Sequence, residues 1–349
     1  MKDKFKTWIK PFMWAIIAVL IARMFIQSYG ITDNRMQNTL NKGDYIIINR
    51  CAYGLRLPIT LFSLPLNDNK IPFTNIPSYV IITTLPYIRI GTSTPSRLDI
   101  IAYNSPLATD FPIDLRPLQI SRVIGLPGDT VTISNKKVFV NNIMVDTALN
   151  NLVFEYRIVT DGTYIPKSIL DSMNINGKMI SDIGIYNLYM LPSQVSFFEH
   201  LPYVKMIREV INYKGYEAQK YFPVNSHFFG WDRDYFGPLI VPYKGQTVPI
   251  TFKDIDLYKD IIRNEGNEVD INIYKKEVKI NGEKVDFYTI KKNYYFVLDD
   301  NRDQAFDSRY IGFIPEDHIV GKGEFIWFSI NKKNNKSDVV WNKMLKKIK

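Results

Sequence analysis

Cysteine and histidine are almost absent from this 349-residue chain. Cys51 is the only cysteine, which rules out an intramolecular disulfide and with it a disulfide-stapled secreted module. The three histidines, His200, His227 and His318, are far apart and lack the close spacing of a zinc site. No metal and no cofactor is expected, and His318 in "PEDHIVG" reads as a surface turn residue. Beyond the N-terminus there is no apolar run long enough to span a bilayer. No basic helix with interleaved base-stacking aromatics accompanies the net charge of +9, so the sequence argues against a nucleic-acid partner. Scattered lysines fit an anionic lipid surface better. Alanine is scarce, whereas 22 tyrosines and 21 phenylalanines are present, a balance that favours strands over helices.

The N-terminus, "MKDKFKTWIKPFMWAIIAVLIARMFIQSYG", carries Lys2, Lys4, Lys6 and Lys10 ahead of an apolar run from Phe12 to Ala22. That run has the length of a signal-peptide h-region, but its exit, "MFIQSYG", lacks the small residues of a cleavage site. If Arg23 snorkels toward the headgroups, a helix can cover Trp8 to Gln27. The positive-inside rule then places the N-terminus in the cytoplasm and everything after Tyr29 outside, in a single-pass protein of the cytoplasmic (inner) membrane with a periplasmic or extracytoplasmic bulk. A buried soluble helix is the alternative.

From Gly43 onward the pattern is β. "DYIIINRCAYGLRLP" opens with a short apolar strand, and "RLDIIAYNSP" is another. "ISRVIGLPGDTVTI" joins two strands through Leu126-Pro127-Gly128-Asp129, where Pro127 presets φ and Gly128 allows φ > 0. Val131 to Asp146 reads as a hairpin, and so does Val269 to Asp286, with Asn281-Gly282 as its turn signal. Asp254 to Glu265 has Ile255, Tyr258, Ile261 and Ile262 at helical spacing. "SHFFGWDRDYFGPLIVPYKG" reads as a packed aromatic loop. The basic tail "NKKNNKSDVVWNKMLKKIK" suits either a short helix on an anionic bilayer or a frayed end.

Three segments now stand in order behind the apolar N-terminus: "MQNTLNKGDYIIINR", "ISRVIGLPGD" and "DDNRDQAFDSRYIGFIPEDHIVGKGEFIWFS". Together they resemble the bacterial type I signal peptidases, membrane-anchored Ser-Lys proteases with the patterns S-M-x-P-T-L-x-x-G-D, K-R-V-x-G-L-P-G-D and G-D-N-R-x-x-S-x-D-S-R-x-x-G. "WDRDYFGPL" looks like the long-insert members. The resemblance implies a mainly β fold, a signal-peptidase-like β core with an inserted α+β domain and one N-terminal transmembrane helix. The implied divisions are a cytoplasmic basic segment over 1–7, the anchor over 8–29, the core over 30–149 and 266–330, the insertion over 150–265 and the tail over 331–349.

The letters that differ are the chemical ones. The family's nucleophilic Ser falls on Arg35 and its Lys on Ser121. The oxyanion Ser falls on Asp33, the Ser supporting the Lys on Ala305, the Pro of the first box on Asn38 and the Gly of G-D-N-R on Asp299. The frame remains: Met36, Thr39, Leu40, Gly43, Asp44, Arg122, Gly125 to Asp129 with Gly128 among them, Asp300, Asn301, Arg302, Asp307, Ser308, Arg309 and Gly312. A dyad needs a hydroxyl beside an amine that is neutral at working pH. Arginine cannot lose its proton there, so Arg35 supplies neither part. Ser121 lacks a base in its own box, and an ionised Asp33 has the wrong sign for an oxyanion site. Arg35 is expected to pair with Asp33, Asp299 or Asp307, because a guanidinium fork suits a carboxylate.

Three functions follow as alternatives. A non-catalytic homologue would bind signal-peptide precursors by strand addition or regulate an active signal peptidase. An active peptidase would need a relocated dyad, for which Ser28 and Lys42 are nearby candidates. A structural envelope protein would need neither. The partners implied are membrane lipid and, for the first reading, precursors or an active signal peptidase.

Overall fold

The computed structural model describes residues 11, 13–14, 24–63, 76–146, 149–333 and 336–348. The expected membrane anchor over 8–29 lies for most of its length outside the described residues. Among the described residues no helix is long and apolar enough to cross a membrane. The last part of the expected anchor is not helical, because Ile26–Gly30 is a strand. It pairs antiparallel with Asp44–Asn49, Ile26 opposite Asn49 and Gly30 opposite Tyr45. The pairing satisfies backbone groups that a helix would have satisfied internally. The fold is mainly β and divides into two compact units, Met1–Thr32 with Lys42–Ile120 and Asp317–Lys349, and Asp33–Asn41 with Ser121–Glu316.

In the first unit the long strand Ile319–Lys333 lies between Asp44–Asn49 and Ile100–Asn104. Asp44–Asn49 alternates buried and half-buried side chains, with Ile46 and Ile48 fully enclosed. Such alternation is the signature of a sheet with one covered face. Ile100–Asn104 is buried throughout, so its run "IIAYN" needs no alternation. Gly43 has φ +92°, and a Cβ there would fall 2.0 Å from the Ile330 carbonyl oxygen, so the first box must carry glycine at this turn. Asp44 is held by the Ser329 hydroxyl at 2.6 Å and the Lys343 ammonium at 3.2 Å.

Two expectations change here. The tail is neither a bilayer helix nor frayed: Lys336–Val339 and Lys346–Lys347 both pair with Ile319–Lys333. His318 is not a surface turn residue. It sits in a buried 3-10 turn with Nδ1 3.0 Å from the Asn104 carbonyl oxygen. Desolvation pushes its pKa down to about 4, against the pull of Asp317.

In the second unit the fully buried Tyr294–Leu298 pairs with Leu118–Gly125, Leu298 opposite Arg122. The Thr130–Ser134 and Lys137–Val140 hairpin turns through Asn135 and Lys136, both at positive φ, the geometry of a type I′ turn. A quarter of the expected aromatic loop is a strand: Phe236–Ile240 pairs with Thr130–Ser134, and the Phe236 ring meets that of Phe296 at a tilt, centroids 5.5 Å apart. Residues 150–265 are α+β. Four strands run in the order Asn176–Ser181, Ile185–Met190, Phe154–Thr160, Val204–Glu209. Their inner face, with Ile158, Leu188 and Met190, packs on Phe198 of the helix Pro192–Glu199. The expected helix is present as Ile255–Asn264, with Ile255, Ile261 and Ile262 buried. The late hairpin turns through Asn281 and Gly282, both at positive φ. Residues 150–265 belong to the same compact unit as 121–149 and 266–316.

Candidate active site

The positions of the resembled family's nucleophile, base, oxyanion and base-supporting residues fall in the second unit, Arg35 and Asp33 on the Asp33–Asn41 loop, Ser121 on a strand and Ala305 in the third box, and Asp299 and Asp307 belong to the same unit. The loop is anchored by the box that follows Tyr294–Leu298. The Asn301 amide donates to the Arg35 carbonyl oxygen at 2.8 Å, and Asn301 Nδ2 donates to the Asn34 carbonyl oxygen at 3.0 Å. The Asp300 amide points at the Met36 sulfur, 3.4 Å away. Asp300 also accepts from the Thr39 hydroxyl, which receives Asn151 Nδ2. The shared letters Met36, Thr39, Asp300 and Asn301 therefore hold the loop, and none of these contacts needs a nucleophile.

Below them are fully buried charges in fork geometry. Arg122 Nε and Nη2 donate to the two Asp300 oxygens at 2.8 and 2.6 Å. Arg309 Nε and Nη2 donate to the two Asp307 oxygens at 3.0 and 2.8 Å. Asp307 also caps the short helix Ser308–Ile311, accepting from the Arg309 amide. Burial alone would lower the Arg309 pKa, but Asp307 more than offsets this and the net shift is upward. Arg302 reaches Asp146 at 2.9 Å, and the Ser308 hydroxyl accepts the Val297 amide at 2.9 Å. Asp129 closes its Pro-Gly turn by accepting the Leu126 amide at 2.7 Å, where Gly128 has φ +89°. Gly43 and Asp44 belong to the first unit.

At the nucleophile position Arg35 turns its guanidinium back on Asp33. Nε and Nη2 each lie 2.8 Å from Asp33 Oδ2, and the Arg35 amide donates to Oδ1 at 3.1 Å. Of the three expected partners, Asp33 is the one joined to it by this ion pair. At the base position the completely buried Ser121 donates its hydroxyl hydrogen to Asp299 Oδ1 at 2.6 Å. Asp299 accepts the Phe306 amide on its other oxygen at 3.2 Å, and its own amide donates to Asp307 Oδ2 at 3.0 Å. Desolvation, then the negative charge of Asp307, push the Asp299 carboxyl up to about 7; Arg35, Ser121 and the Phe306 amide pull the other way.

Ser121 therefore has a carboxylate beside it. The sequence offered no base within the second box, and the partner comes from the third, 178 residues away. The only signal was that an acid replaces glycine where serine replaces lysine. Ser28 and Lys42 share no hydrogen bond; the Ser28 hydroxyl accepts from the Trp327 indole at 2.8 Å. Sequence reading also missed a second buried cluster, in which Lys136 and Arg233 flank Asp303 at 2.6 and 2.9 Å.

The family model described as "Signal peptidase, peptidase S26" matches residues 5–168 and 243–328. Curated relatives named signal peptidase I agree. The protein of Buchnera aphidicola subsp. Baizongia pistaciae is 24% identical over 91% of this chain and 75% of its own length. That of Pseudomonas aeruginosa is 22% identical over 92% and 71%, and that of Rickettsia conorii 23% over 90% and 75%. With its three boxes assembled around a buried Arg–Asp frame, the chain belongs to the signal peptidase family, peptidase S26.

Proposed function

We propose that this chain is a signal peptidase homologue that does not cleave, held in the cytoplasmic membrane by its N-terminal apolar segment with its bulk outside. It keeps the family scaffold to bind the signal peptides of precursors or to regulate an active signal peptidase. The observation that carries this reading is the Arg35–Asp33 ion pair at the nucleophile position. A guanidinium there offers no attacking atom, and it cannot take a proton from one. The acid opposite it brings negative charge to the place where a developing oxyanion needs donors.

A second reading has one specific observation in its favour. The Ser121 hydroxyl bonded to Asp299 is a nucleophile–carboxylate pair, and a carboxyl near 7 has the basicity of a general base. Against it, Ser121 has no exposed surface, so a scissile carbonyl cannot reach its oxygen without the surrounding strand moving. Two measurements on the detergent-solubilised full-length chain separate the readings. The non-cleaving reading expects a precursor with an intact signal peptide to be retained uncut, and a fluorophosphonate probe to leave Ser121 unlabelled. Labelling that disappears in Ser121→Ala would establish the relocated pair instead.

A further inference from the structure

Asn38 stands where the pattern of the first box has proline, and its backbone leaves no place for one. Its φ is +69°, whereas a proline ring fixes φ near about −65°. Its amide donates to Asn41 Oδ1 at 3.0 Å, and a proline has no N–H to give. The Asp33–Asn41 loop therefore follows a path that the usual letter of the box does not allow.

The insertion holds the loop on this path. Asn174 Nδ2 donates to Asn38 Oδ1 at 3.1 Å and to Asn41 Oδ1 at 3.2 Å. The Asn174 carbonyl oxygen accepts from Gln37 Nε2 at 2.5 Å, and Asn176 Nδ2 donates to Gln37 Oε1 at 2.8 Å. Gln37 is buried, so its amide needs such partners. Asn174 is itself well fixed. It takes the left-handed conformation that asparagine tolerates, φ +55°, just after the helix Lys167–Ser172. Its neighbour Ile175 lies in the apolar core of the insertion, and the Ile175 amide donates to the Leu170 carbonyl oxygen at 2.8 Å.

We propose that Asn174 and Asn176 are positioning residues for the site: they lock the Asp33–Asn41 loop in this path and so fix where Arg35 stands. They act on Arg35 through Gln37 and Asn38, further along the same loop. The Asn301 amide holds the Arg35 carbonyl oxygen at 2.8 Å, so the third box and the insertion both tether the loop. This role holds whether the chain cleaves its ligand or only binds it. It also reaches a group on another element. Arg35 pulls the Asp299 carboxyl down, together with the Ser121 hydroxyl and the Phe306 amide, against desolvation and the charge of Asp307. A loop released from the insertion carries that guanidinium away from Asp299, and the carboxyl then holds its proton to higher pH.

The test uses the detergent-solubilised full-length chain and the variant Asn174→Gly, which keeps the left-handed turn and removes only the side chain. Hydrogen exchange over residues 33–41 should quicken about tenfold, while Ile185–Met190 in the insertion keeps its protection. In carbon NMR of chain labelled at the aspartate carboxyls, the signal that disappears in Asp299→Asn should titrate about half a unit higher in Asn174→Gly. Asn38→Pro should quicken exchange over the same residues as much, and combining the two substitutions should add little, because both break one set of contacts. If Asn174→Gly fails to fold, Asn176→Ala removes the contact to Gln37 and provides the same comparison. Unchanged exchange over 33–41 in these variants would overturn the lock. A quickened loop with the Asp299 midpoint unmoved would leave Asn174 a structural tie and overturn its positioning role.

Discussion

Ser121 gives its hydroxyl hydrogen to Asp299 at 2.6 Å, in a place with no exposed surface. The two residues stand where the resembled family has Lys and Gly. The basic side chain here is Arg35 on the loop, and the acid Asp299 is the partner of the strand residue Ser121. This is a re-paired polar core, and returning the two dyad letters alone does not undo it.

Arg35→Ser with Ser121→Lys is expected to remain silent on a pre-protein substrate. The introduced lysine would face the buried Asp299 and form an ion pair with it, which raises an ammonium pKa instead of lowering it. Each unit by which that pKa exceeds the working pH costs about tenfold in neutral amine. Adding Asp299→Gly removes the partner, and this triple variant should cleave at least about tenfold faster than the double. Equal rates in the two would show that Asp299 does not control the base position. Single-turnover cleavage followed by gel shift is the measurement.

The pH dependence of stability divides between the two units, with opposite signs. The Asp299 carboxyl is raised from 3.8 to about 7, so the native second unit holds a proton that the unfolded chain has released. Its contribution is complete below pH 4, declines by about 1.4 kcal/mol per unit as pH rises toward 7, and is absent above. The His318 pKa is lowered from 6.5 to about 4, so the first unit is favoured above 6.5 and loses that advantage as pH falls toward 4. Hydrogen exchange resolved by unit should show opposite slopes between pH 4.5 and 6.5. Asp299→Asn should flatten the second unit's slope, and His318→Gln the first's.

Arg122 and Asp300 form a pair that cannot lose one member cheaply. Arg122→Met leaves an uncompensated buried carboxylate and should destabilise the chain by about 3–5 kcal/mol. Asp300 also orders Thr39, so the Asp33–Asn41 loop should loosen at the same time. Arg122→Met combined with Asp300→Leu should recover much of the loss, because the pair is replaced by apolar volume. Chemical denaturation of the three variants checks this, and a double variant worse than the single would contradict it.

Local signals were legible in the sequence where local geometry decides structure. Asn281-Gly282 has the left-handed conformations of a type I′ turn, and Ile255, Ile261 and Ile262 line one face of a helix. Two of the frame's ion pairs join motif letters to one another, Arg122 to Asp300 and Arg309 to Asp307, whereas Arg302 pairs with Asp146 outside the three boxes. Illegible were features set by contacts across the chain. His318 is buried by Asn104, 214 residues away, and the basic tail is a pair of strands because Ile319–Lys333 offers them an edge. Ser121 looked baseless since Asp299 is distant in sequence. The strand Ile26–Gly30 looked like the end of a helix, since "IQSYG" gives no hint that Asp44–Asn49 is waiting to pair with it.

The most direct test is to incubate the detergent-solubilised natural chain with a pre-protein whose signal peptide ends in small residues at the cleavage site, and to follow release of the mature form. Arg35 at the nucleophile position and the enclosed Ser121 predict no release above a heat-treated sample, with precursor retained on the chain. Cleavage after the small residue by the natural chain would contradict the loss of proteolysis and place the nucleophile elsewhere.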